Sequence, residues 1–131
     1  MRLLRYAAAA LALMAAPASA TEWIYCGTDD GSVSVGVLAG AFEFLNISAA
    51  TMSIGDESWA SSEVYGPGAT ILVGQAYQSD NQIIIDISDD NAEAVLGELR
   101  VYTAEEGTDY VQGGVFRAPG RGVWVVSCEG P

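Results

Sequence analysis

The stretch TILVGQAYQSDNQIIIDIS, residues 70–88, decides the fold class. In its first arm Ile71, Val73 and Gln75 alternate with Leu72 and Gly74. In its second arm Ile83, Ile85 and Ile87 face one way while Ile84 and Asp86 face the other. A period of two is the pattern of a half-buried strand, because successive side chains point to opposite faces of a sheet. The polar connection Ser79-Asp80-Asn81 turns the chain back, so the two arms read as an antiparallel hairpin.

The same pattern recurs on both sides. Upstream, Glu22–Cys26 forms a short strand, and Val33, Val35 and Val37 alternate with Ser32, Ser34 and Gly36. Phe42 and Phe44 flank Glu43, and Met52 and Ile54 flank Ser53 in the same way. Downstream, residues 111–116 and 122–128 make a second hairpin across Arg117-Ala118-Pro119-Gly120-Arg121. Pro followed by Gly suits the two central positions of a type II turn. Between the hairpins, Asp89 or Asp90 is placed to cap one helical turn through Asn91-Ala92-Glu93-Ala94. A strand with Val95, Leu99 and Val101 on one face follows. About eight strands at roughly ten-residue spacing predict an all-β fold: a single small antiparallel β-barrel or sandwich.

The chain has 131 residues, no His, 15 Gly and a formal net charge of −12. Its first 20 residues read as a cleaved signal peptide: Arg2 and Arg5 give a positive start, Tyr6–Ala16 is apolar, and Ala18-Ser19-Ala20 is a small-residue cleavage site. The apolar run is shorter than the ~20 residues that span a bilayer. The expected mature chain, a single domain over 21–131, keeps three Arg against all 17 acids, a formal charge of −14, and contains no Lys. It is expected to be periplasmic or secreted, without a membrane span, and monomeric. Export places Cys26 and Cys128 in an oxidising compartment, where they are expected to pair as a disulfide stapling the first and last strands.

Composition removes several function classes. Without His there is no histidine metal site or histidine-activated nucleophile, and without Lys no Ser-Lys chemistry. The charge opposes nucleic acid, which needs a basic face. No Gly-rich loop follows a strand and opens a helix, so nucleotide binding is unsupported. No catalytic residue is assigned, and the chain reads as a non-catalytic binding or interaction domain.

Three features remain as candidate sites. Asp86, Asp89, Asp90 and Glu93 form the densest run of oxygen ligands, and Asp86, Ser88 and Asp90 alternate as at the opening of a calcium loop. The position that wants Gly is Asn91, however, and the closing Glu position is Gly97. These residues are therefore candidates only for an irregular Ca²⁺ site in a calcium-stabilised structural domain. No other cofactor is expected. Arg117 and Arg121 concentrate two of the mature cations at one hairpin tip and, with Trp59, are candidates for partner binding. Trp23, Trp59 and Trp124 are candidates to line a ligand pocket, although Trp124, alternating with Val126 and Cys128, reads more simply as core beside the disulfide.

The aromatic-Cys start Trp23-Ile24-Tyr25-Cys26, the Asp30-Gly31 turn, the alternating Val strand and the final Cys128 resemble the frame of the periplasmic inhibitors of C-type lysozyme. The resemblance implies a small exported antiparallel β-barrel with its first and last strands disulfide-linked, and a basic protein as partner. It covers the two ends of the chain. The Ser-Gly-x-x-Tyr type of segment and the Lys-containing strand which that family sets against the lysozyme cleft are absent, so no inhibitory residue carries over.

Overall fold

The computed structural model describes residues 21–40 and 44–130. The expected leader and Phe42 lie outside them. Nine strands close into a barrel in chain order: β1 Glu22–Gly27, β2 Val33–Gly40, β3 Asn46–Ile54, β4 Glu57–Ala60, β5 Ala69–Gln78, β6 Gln82–Asp89, β7 Val95–Glu106, β8 Asp109–Ala118 and β9 Gly122–Glu129. The ninth element, β4, has no apolar alternation of its own.

Parity explains the one departure from an antiparallel meander. An odd number of strands cannot close with every neighbour antiparallel. Here β1 and β9 are antiparallel, so one other pair must run parallel, and it is β4 with β5. Parallel neighbours normally need a long crossover. The short connection 61–68 suffices because β4 is only four residues long. Gly68 makes this possible: its φ is 114°, and a Cβ there would lie 1.8 Å from the Ser58 carbonyl oxygen. Only glycine tolerates both the backbone angle and the approach.

The barrel is therefore two antiparallel meanders, β1–β4 and β5–β9, joined along two short seams. The β4–β5 seam has two residue pairs, Trp59 with Ala69 and Ala60 with Thr70. The β1–β9 seam has three, Tyr25–Glu129, Cys26–Cys128 and Gly27–Ser127. The expected disulfide is the central pair of that seam, with the Cα atoms 4.0 Å apart.

The interior is filled by alternate residues. Val33, Val35 and Val37 from β2, and Ile83, Ile85 and Ile87 from β6, are buried as their spacing predicts. Three register shifts break the alternation elsewhere. Between β2 and β3, Leu38 faces Ala49 while Ala39 faces Ile47, so Ser48 is extra. Val73 pairs with Ile87, but Gln75 pairs with Asp86, so Gly74 is extra; Gln75 turns outward and Ala76 packs toward the core. On β7, Ile87 faces Gly97 while Ser88 faces Val95, so Leu96 is extra and Val95 is 43% exposed rather than sharing the face of Leu99 and Val101. Of the expected strand at Phe42 and Phe44 only Phe44 is described: it is exposed and lies before β3, which begins at Asn46.

Local turn chemistry behaves mostly as expected. The Arg121 amide donates to the Ala118 carbonyl at 2.9 Å and Gly120 has φ 77°, the geometry of a type II turn. The expected helical turn after Asp89 does not form; no helix occurs among the described residues. Asp89 instead caps a loop: its Oδ1 accepts the amides of Glu93 (2.8 Å) and Ala94 (3.3 Å), and Ala92 takes a left-handed φ of 57°. The Asp side chain competes with a helix by satisfying the same amides from outside it.

The β1–β2 turn supplies a measurable signature. Asp30 Oδ1 accepts the Ser32 amide at 3.0 Å, the Ser32 hydroxyl at 2.7 Å and the Thr28 hydroxyl at 2.8 Å. Hydrogen bonds to the charged form favour it. With Ser32 contributing most, the Asp30 carboxyl falls from 3.8 to about 2. A folded-state value below the unfolded one means that the contribution is fully present above pH 3.8 and is lost as pH falls toward 2. Carboxyl-carbon NMR titration should place the Asp30 midpoint near 2, and Ser32→Ala should move it upward. A midpoint at the ordinary Asp value would contradict the turn geometry.

Candidate functional site

The two arginines of the β8–β9 tip do not form one surface. Arg117 points outward from the barrel wall, and its Nη1 donates to Glu98 Oε2 at 2.7 Å across β7–β8. Arg121 turns the other way, toward the barrel rim. Its Nη1 donates to Glu57 Oε1 at 2.7 Å, and its guanidinium lies 4.8 Å from the centroid of the Trp59 ring. The sequence-predicted pair of Arg121 and Trp59 is thus brought together. The contact is a closure, because Trp59 is only 8% exposed beneath the guanidinium. The hydrogen bond from Arg121 holds the Glu57 carboxyl below its ordinary value.

The third described arginine is also occupied. Arg100 Nη1 donates to Asp86 Oδ1 at 2.9 Å and to the Leu99 carbonyl at 3.0 Å. This engages one of the four candidate calcium ligands. A second, Asp89, caps its own loop. Among the described residues no group of three or more acidic, His or Cys side chains is placed to hold a metal ion. The acidic run is dispersed because Asp86 lies on the outer face of a strand, while Asp89, Asp90 and Glu93 lie in or beside the loop after it.

A groove of about 240 Å³ lies on the outer face of β1–β4. Trp23 and Trp59, two of the three tryptophans expected as pocket candidates, line it, whereas its tyrosines and hydroxyls are not among the sequence candidates. Trp23 and Tyr25 leave β1 on the same side, with ring centroids 5.5 Å apart and planes within 13° of parallel. Tyr65, from the 61–68 connection, meets Trp23 edge-on at 5.6 Å and 67°. Strand register supplies the floor: Tyr25 faces Gly36 and Gly36 faces Thr51, while Ser34 faces Ser53 and Ser53 faces Ser58. The Ser34 and Ser53 hydroxyls lie 2.8 Å apart. Gly36 makes room for the shelf, since a Cβ there would come 2.8 Å from Tyr25 Cε1. The available signal was the Trp-x-Tyr spacing of β1 opposite the Ser-x-Gly spacing of β2.

Compared with known proteins, the chain matches no family model, no curated protein and no solved structure.

Proposed function

We propose that this chain is a non-catalytic binding domain acting outside the cytoplasm, and that its partner is a basic protein. The observation that carries the reading is how the cations are used. Each of the three described arginines is bonded to a neighbouring carboxylate, Arg100 to Asp86, Arg117 to Glu98 and Arg121 to Glu57. The remaining described carboxylates have no arginine partner and give the barrel a field of one sign. Such a field steers oppositely charged partners and raises association rates. The disulfide supports an oxidising compartment, as does the leader-like start.

The resemblance to lysozyme inhibitors makes lysozyme the first basic protein to try. The mature chain should be retained on immobilised lysozyme at low salt and released at high salt. Raising salt from 0.01 M to 1 M shortens the screening length from about 30 Å to about 3 Å. Failure to bind at low salt would overturn the reading. Retention that survives high salt would refute its electrostatic basis.

A further inference from the structure

We propose that the outer-face groove of β1–β4 binds a neutral carbohydrate, one or two rings of a longer glycan. The groove joins the two elements such a ligand needs. A pyranose ring presents an apolar C–H face and a rim of hydroxyls. Trp23 and Tyr25 stack on each other, and Tyr25, still 52% exposed, keeps aromatic surface open for the first. Ser34, Thr51, Ser53 and Ser58 offer hydroxyls for the second, each able to donate and accept. The contact between Ser34 and Ser53 uses only one of their two hydroxyl hydrogens, leaving the other free for a ligand.

Charge and size narrow the ligand further. No lining residue of the groove is acidic or basic, although the chain carries 17 acids. Arg121, packed against the lining residue Trp59, is already bonded to Glu57, so an anionic ligand would find no free cation and would meet the repulsion of the surrounding carboxylates. A cation would be drawn to aromatic faces, but a compact cation does not use a line of hydroxyls across three strands. The volume of about 240 Å³ falls just below the roughly 300–1,000 Å³ of sites for drug-sized molecules, which suits one or two sugar rings in an open cleft. The Tyr65-Gly66-Pro67 segment forms one wall, so a longer glycan would leave on the opposite side.

The experiment titrates the disulfide-intact protein with cellotetraose, maltotetraose and N-acetylchitotetraose, followed by tryptophan emission and by amide shifts at Trp23, Tyr25 and Thr51. At least one saccharide should give saturable shifts at these residues, with an affinity unchanged between low and high salt. Trp23→Ala should weaken it at least tenfold. Gly36→Ala retains every aromatic and hydroxyl group but pushes the Tyr25 ring off the sheet, and should weaken binding as well. Three results would each overturn the proposal: no saturable shift with any of the three at millimolar concentration, undiminished binding in both folded variants, or shifts of the same amides by tetramethylammonium and by none of the sugars. Salt-independence separates this site from the salt-sensitive retention expected for a basic protein, so either reading can fail alone.

Discussion

Removing the disulfide by Cys26→Ala with Cys128→Ala should lower the unfolding free energy by between about 2 and 5 kcal/mol. The upper end follows from chain entropy: the bond spans 102 residues of sequence, and closing a loop of ~100 residues corresponds to about 4.7 kcal/mol. The location of the bond makes a value near the top of the range the expected one. It is one of three residue pairs between β1 and β9, so without it the cylinder depends there on the two flanking pairs, Tyr25–Glu129 and Gly27–Ser127. Urea unfolding of the oxidised protein, the reduced protein and the double variant measures the loss, and the melting temperature should fall by roughly 10–20 °C. Amide exchange should accelerate first in β1 and late β9. An unchanged urea midpoint would show that packing alone holds the seam.

Phe116→Ala should cost about 3–5 kcal/mol, the range for emptying a buried phenylalanine site. Phe116 is fully buried and stacks on Trp124 with centroids 6.1 Å apart. It also occupies space that β7 leaves vacant. A Cβ on Gly97 would meet Phe116 Cε2 at 2.8 Å and Met52 Sδ at 3.2 Å. Phe116 lies on β8, which is hydrogen-bonded along both edges to β7 and β9. A strand so held collapses poorly onto a cavity, which places the cost toward the upper end of that range. The same geometry predicts a sign change. Gly97→Ala should destabilise the unaltered protein, yet be neutral or stabilising in the Phe116→Ala background, where its methyl group refills part of the cavity. A double-mutant cycle by urea unfolding measures that coupling. Additive effects would mean that the two positions do not share space.

The elements legible from sequence are those whose evidence is local. Ile83, Ile85 and Ile87 announce β6 by their spacing, and Pro119-Gly120 announces its turn. The bulges at Gly74 and Leu96 were not legible, because an inserted residue changes which side chain faces inward without changing the composition that marks a strand. The parallel β4–β5 pairing depends on Gly68 passing the backbone of Ser58, a contact between segments with no periodic signature. The candidate surface fared the same way. Arg117 and Arg121 are near neighbours in sequence, but their partners are Glu98 and Glu57, and the second lies 64 residues away. The groove arises only when three strands align Tyr25, Gly36 and Thr51 in one row.

The short β1–β9 seam bears on how copies of this chain treat one another. Because β1 covers only Ser127–Glu129, the preceding Gly-Val-Trp-Val-Val of β9 borders the wall with one side of its backbone unclaimed by β1. Those five residues carry no charge, and Val123 and Val125 face solvent. An uncharged, β-branched edge is a template on which strands from separate molecules assemble, and its shortness is one thing that limits the hazard. Most barrels remove that hazard by complete closure, and others guard it with lysine, which this chain lacks. The exterior carboxylates give two such edges like charge, a repulsion that weakens as the medium becomes acidic or salty.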